Sequence, residues 1–102
     1  MSAGYIENRA LKYKVIDGEV CDAVLFFETS IDMDERMQFI QEILEVYFHE
    51  TPKGKWFKEH AKDSDVEVFK DWASYQRVYR IYGYLTPKQQ TVFSLKFSGS
   101  DH

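Results

Sequence analysis

Residues 33–49 read MDERMQFIQEILEVYFH, and their spacing decides the fold class. At 100° per residue, Met33, Met37, Ile40, Leu44 and Tyr47 form one seam. Ile43, Phe39, Val46 and Phe48 widen it to an arc of about 200°, and Asp34, Gln38, Gln41, Glu42, Glu45 and His49 take the opposite side. The pattern predicts a helix from about Met33 to His49. Asp32 with Glu35 three residues on opens it as a capping box, the aspartate accepting amide hydrogen bonds and the glutamate reaching back. So wide an apolar arc calls for burial against a sheet and against a further segment, with Trp56 and Phe57 as candidates. Thr51-Pro52-Lys53-Gly54 ends the helix, and Lys55–Lys62 predicts a short second one.

Working outward, Leu11–Ile16 and Val20–Glu28 are β-rich runs separated by Asp17-Gly18, the pair that suits a type I′ hairpin because both turn positions need positive φ. The second run is apolar on both faces, as a central strand would be. Residues 66–72 are open to two readings: Val66/Val68 alternation says strand, whereas Ser64 with Glu67 and the Val66, Phe69, Ala73 spacing says one or two helical turns. Tyr75–Leu85 and Gln90–Phe97 are rich in β-branched and aromatic residues, and Thr86-Pro87-Lys88-Gln89 between them reads as a type I turn. The last run alternates, with Thr91, Phe93, Leu95 and Phe97 inward. The expected architecture is a single α+β domain over residues 1–102, in the order β-β-α-(α)-β-β-β. An antiparallel or mixed sheet of about five strands carries one long amphipathic helix on one face. Residues 1–8 and 98–102, small and polar, are expected to be loosely ordered.

Composition bounds the function classes. The 102 residues are 44% apolar, 29% charged and 17% aromatic, which excludes disordered, collagen-like and coiled-coil chains. A single cysteine, Cys21, permits no internal disulfide and favours a reducing compartment. No apolar run approaches the roughly 20 residues of a membrane span, and no signal-peptide h-region opens the chain, so a soluble, cytoplasmic protein is expected. Residues 1–50 hold four Lys/Arg against eleven Asp/Glu, a net of −7, while residues 51–102 hold nine against six, a net of +3. The total of −4 is unlike that of most nucleic-acid binders, which neutralise phosphates.

Few side chains are spaced for chemistry. His49, Glu50, His60, Asp63 and Asp65 are metal-ligand types, but His49 and His60 are separated by a Pro/Gly turn and no H-E-x-x-H or C-x-x-C occurs, so no metal site is expected. Cys21 lies in a strand where a buried thiol is inert, and no exposed-serine turn or phosphate loop is present. No cofactor is expected. Two surfaces remain. One is basic and aromatic: Arg77, Tyr79, Arg80, Tyr82, Tyr84 and Lys96 on the expected last hairpin, with Lys12 and Lys14, mix cations for phosphates with rings for stacking. Arg77 and Arg80, an odd number of positions apart, share a face only if a bulge, which Gly83 would permit, intervenes.

The element order loosely resembles the RelE/HigB-type toxins, small endoribonucleases in which helices precede an antiparallel sheet bearing Arg, Tyr, Lys or His. The similarity is confined to RVYRIYGY and TVFSLKFSGSDH, roughly the last 30 residues. It implies Arg77, Arg80, Tyr82 and His102 as phosphate clamp and acid/base groups. The chain departs from that pattern in its acidity, in its first hairpin, and in Asp34, Glu35, Glu42 and Glu45 standing where basic residues are expected.

The other surface is acidic. On the expected helix Asp34, Glu35, Glu42 and Glu45 fall within a 100° sector, a negative stripe about 25 Å long. The macrodipole accounts for Asp34 and Glu35 near the helix start but not for Glu42 and Glu45. The expectation is a non-enzymatic interaction module, an inhibitor or adaptor as in many small acidic phage or mobile-element proteins, whose partner is a protein with a basic surface. The alternative is an RNA-directed protein using the basic, aromatic surface.

Overall fold

The computed structural model describes residues 4–97, so His102 and the expected loose C-terminal tail lie outside the described residues. The order is β1 (Gly4–Asn8), β2 (Tyr13–Ile16), β3 (Glu19–Asp32), α1 (Met37–Glu50), α2 (Pro52–His60), β4 (Ser64–Asp71), β5 (Gln76–Leu85) and α3 (Pro87–Phe97). The fold is α+β, and its antiparallel sheet runs β1-β4-β5-β3-β2. Both ends of the described chain depart from expectation. Residues 4–8, expected to be loosely ordered, form an edge strand on β4, with Gly4 opposite Asp71 and Ile6 opposite Phe69. Residues 90–97, expected to be a strand, belong to α3.

The start of α3 explains the second correction. Thr86 N–H donates to Gln89 Oε1 at 3.0 Å, and Gln89 N–H donates to Thr86 Oγ1 at 3.2 Å. This reciprocal capping box has Pro87 at the first helical position, where its missing N–H costs nothing. Gln89 Nε2 also donates to the His60 carbonyl, tying α3 to the end of α2. Phe93 and Phe97, four apart, turn onto Trp56, whereas Leu95, expected inward, is 78% exposed.

The first hairpin forms as expected: Val15 pairs with Val20 and Ile16 with Glu19 around Asp17 and Gly18, both at positive φ. Strand β3 then runs on to Asp32, paired with Gln76, because ladder bonds to β5 claim residues 29–32. The helix therefore starts at Met37, not Met33, with Arg36 at the N-cap. Asp32 instead closes a turn, its carbonyl accepting from Glu35 N–H. Residues 64–71 follow the Val66/Val68 alternation and pair with β5.

One face of the sheet carries the helices. Phe26, Trp56, Phe57, Ile81 and Leu85 form the main core, and Ile31, Ile40 and Tyr79 a second cluster beneath α1. A bulge shapes the first. Leu25 pairs with Tyr82 and Phe27 with Ile81, leaving Phe26 as the extra residue on β3. Phe26 thereby reaches Trp56, Phe57 and Phe93 while Phe27 stacks on Tyr47, so two successive rings both serve the helix side. The Tyr47 hydroxyl donates to the Phe26 carbonyl. A buried carbonyl displaced from a ladder needs such a donor.

Candidate functional site

Helix α1 divides its apolar residues. Ile40 and Tyr47 are buried and Phe48 stacks on Phe57 of α2. Phe39 and Val46, expected to be covered, are 45% and 58% exposed. At 100° per residue Phe39, Glu42, Val46 and Glu50 fall within a sector of about 80°, turned away from Phe48 and thus from α2. Covering them would require a further segment beside α1, on the flank away from α2, and the segment expected to supply cover, Trp56-Phe57, is committed to the sheet side with Phe26.

The four predicted acidic residues do not form one helical stripe. Glu42 and Glu45 lie on α1 and are exposed, and Glu45 Oε2 lies 3.4 Å from His49 Nε2 one turn on. Asp34 and Glu35 sit in the turn before the helix. The Asp34 carboxylate accepts the Tyr75 hydroxyl at 3.0 Å, which pushes the Tyr75 phenol up. Tyr75, at φ 57, also accepts Met33 N–H through its carbonyl, so the β4–β5 turn is fastened to the approach of α1. Trp72 and Tyr75 are both about half exposed there. Glu35 rejoins Glu42 at a shallow groove of about 320 Å³ that Arg36, Gln38 and Phe39 complete. The result is an apolar, aromatic surface running from the β4–β5 turn along α1, with Glu35 and Glu42 on its rim, Arg36 between them, and Lys70 over the Trp72 ring at its far end.

The predicted basic and aromatic residues are dispersed. β5 is regular and the bulge lies across from it on β3, so Arg77 and Arg80 stay on opposite faces. Arg77 donates to the Met33 carbonyl at 3.3 Å on the helix side. Arg80, on the other face, donates through Nε to Glu28 at 2.6 Å and through a terminal N–H to Glu67 at 3.4 Å. The hydrogen bond to Glu28 holds the guanidinium above its ordinary value. Two carboxylates already neutralise this cation, where a phosphate clamp needs an excess of positive charge. Tyr82 shares that face and lines a cavity of about 320 Å³ with Arg9, Leu11, Lys12, Ala23 and Glu67. Lys96 lies on α3, across the sheet from Arg80 and Tyr82.

Lys14 is likewise engaged, 2.8 Å from Asp63 and 3.3 Å from Asp65, with its ammonium 4.6 Å above the Tyr84 ring. The bond to Asp63 raises the Lys14 ammonium and holds the Asp63 carboxyl down. Tyr84 is fully buried, and its hydroxyl lies 2.8 Å from both the Leu11 carbonyl and the Asp65 carboxylate, donating to one at a time. Burial first and Asp65 second push its phenol up to about 12. Cys21 is buried on β3, and burial raises its thiol. Among the described residues no group of three His, Cys, Asp or Glu side chains converges as a metal would need, and no helix is long and apolar enough to cross a membrane.

Sequence reasoning missed one feature. His60 stacks on Trp56 at 4.4 Å, and between α2 and α3 lies a groove of about 490 Å³ lined by Pro52, Lys55, Trp56, Glu59, His60, Val92 and Lys96. Reading residues 90–97 as a strand hid it, because a strand would have turned Val92 and Lys96 together to the outward face of the sheet, whereas the helix lays them beside Trp56 and His60 of α2. No family model, curated protein or solved structure is significantly similar to this chain.

Proposed function

We propose that this chain is a small, non-enzymatic interaction module of the cytoplasm, an inhibitor or adaptor that presents the outer face of α1 to a basic site on a larger protein. The observation that carries this reading is the exposure of Phe39 and Val46 on the same sector as Glu42 and Glu50. Large apolar side chains supply binding energy when a partner covers them, and a rim of one charge sets register, speeds encounter and rejects partners of like sign. Trp72 and Tyr75 extend the surface with the ring types favoured at energetic centres of interfaces. The engaged states of Arg80 and Lys14 leave the open sheet face poorly suited to phosphates.

The test is charge reversal. The tagged wild type and Glu42→Lys/Glu45→Lys are compared for retention of a stoichiometric protein from source lysate, with thermal midpoints measured alongside. Both glutamates are exposed, so the midpoint is expected to move little while the partner is lost. Retention of the same partner by the folded double variant refutes the reading.

A further inference from the structure

The helix layer is divided by charge. α1 carries Glu42, Glu45 and Glu50 without a lysine or arginine, whereas α2 and α3 together carry Lys53, Lys55, Lys58, Lys88 and Lys96 against the single acid Glu59. The two charged regions have matching centres. On α1 these are Phe39 and Val46. Between α2 and α3 the groove of about 490 Å³ has Pro52, Trp56 and Val92 on its apolar wall and Lys55 and Lys96 among its rim. An acidic face with an apolar centre and a basic groove with an apolar centre, on one chain, are complementary.

They cannot meet within one molecule. Phe48 faces α2 through its stack on Phe57, and Phe39 and Val46 lie roughly 160–180° around the α1 axis from it. The apolar centre of the acidic face, with Glu42 and Glu50 beside it, thus points away from the chain's own groove. We infer that the α2–α3 groove is a docking site for the outer α1 face of a second copy of this chain, giving head-to-tail association. The inference rests on the reading of α1 as a binding face and names one basic partner for it. Such a contact uses two different patches, so each copy keeps one acidic and one basic patch available, and association extends beyond pairs unless the rotation closes a ring.

The experiment is sedimentation velocity of the purified full chain over a concentration series at low ionic strength. Wild type is expected to rise above the 12.1 kDa of one chain with concentration and to fall back at high salt, where surface charges are screened. Glu42→Lys/Glu45→Lys and Lys55→Glu/Lys96→Glu are each expected to stay monomeric. Mixed in equal amounts they are expected to associate again, because each supplies the patch the other has lost. All four lysines and glutamates are exposed, and circular dichroism of each variant confirms the fold. A wild type that stays at one chain mass, variants that associate as it does, or a mixture that remains monomeric overturns the inference. A monomeric wild type that still loses its lysate partner on reversal of Glu42 and Glu45 refutes self-docking while leaving the proposed function standing.

Discussion

Replacing Tyr47 with Phe removes one oxygen from a buried position and leaves the Phe26 carbonyl, displaced from the ladder by the β3 bulge, without its hydroxyl donor. An unsatisfied buried acceptor costs about 1–3 kcal/mol. For a chain of this size each kcal/mol moves the thermal midpoint by roughly 4–8 °C, so a fall of about 5–20 °C is expected near neutral pH. The pH dependence supplies a second readout. Burial pushes the Tyr47 phenol up to about 12, whereas in the unfolded chain it ionises near its ordinary value of 10.0. Between these values the folded state holds a proton that the unfolded state has lost, so stability is intact below pH 10 and falls as pH rises toward 12. Tyr84 acts in the same direction and window. Tyr47→Phe removes one of these two contributions, so its deficit relative to wild type should narrow steadily above pH 10. Urea unfolding from pH 8 to pH 11.5 measures both effects. An unchanged midpoint at pH 8, or a deficit of constant size across the range, refutes the account of Tyr47 as a donor to the bulge.

Thr86→Ala breaks the capping box of α3 and is expected to cost about 0.5–2 kcal/mol with a loss of helical circular dichroism; an unaltered protein would show that α3 starts without it. Gly83→Ala would place a methyl 2.8 Å from one Phe57 ring carbon and 3.0 Å from one of Phe26, and a loss of about 1–3 kcal/mol in chemical denaturation is expected, against no loss if those rings can give way. The Cys21 thiol, buried and raised, should resist maleimide until the chain is unfolded in denaturant; labelling of the native protein at the rate of an exposed thiol would place it elsewhere.

The parts of the fold that local pattern could reveal are those whose contacts are local. Asp17-Gly18 carries its own backbone requirement, and the first hairpin formed around it. Helix α1 carries its own period over Ile40, Leu44 and Tyr47, but its start was decided elsewhere, by ladder bonds that Gln76–Tyr79 of β5 make with residues 29–32. β1 has little apolar periodicity of its own and exists through pairing with β4 sixty or more positions away. The error at residues 86–97 differs in kind, because its signal was present. Thr86 with Gln89 three residues on and Pro87 between them is a helix start, and Gln89, Phe93 and Phe97 have helical spacing. The β-rich composition of QTVFSLKF obscured both, since strand preference mostly measures packing context. The exposure of Glu42 and Glu45 was legible in the helical period. The exposure of Phe39 and Val46 beside them was not, because periodicity shows which residues are apolar and leaves open whether any segment covers them.

The sheet order carries a consequence for a chain emerging from the ribosome. β3 is synthesised early and acquires β2 as a neighbour at once, but its other edge waits for β5, half a chain later. Throughout that interval a long strand with Val24, Phe26 and Phe27 near its middle has one row of backbone donors and acceptors unclaimed, the arrangement that recruits foreign strands. Synthesis halted before Leu85 would leave that edge permanently open, so fragments ending there should be held by chaperones or aggregate, and release should coincide with translation of the β4–β5 hairpin.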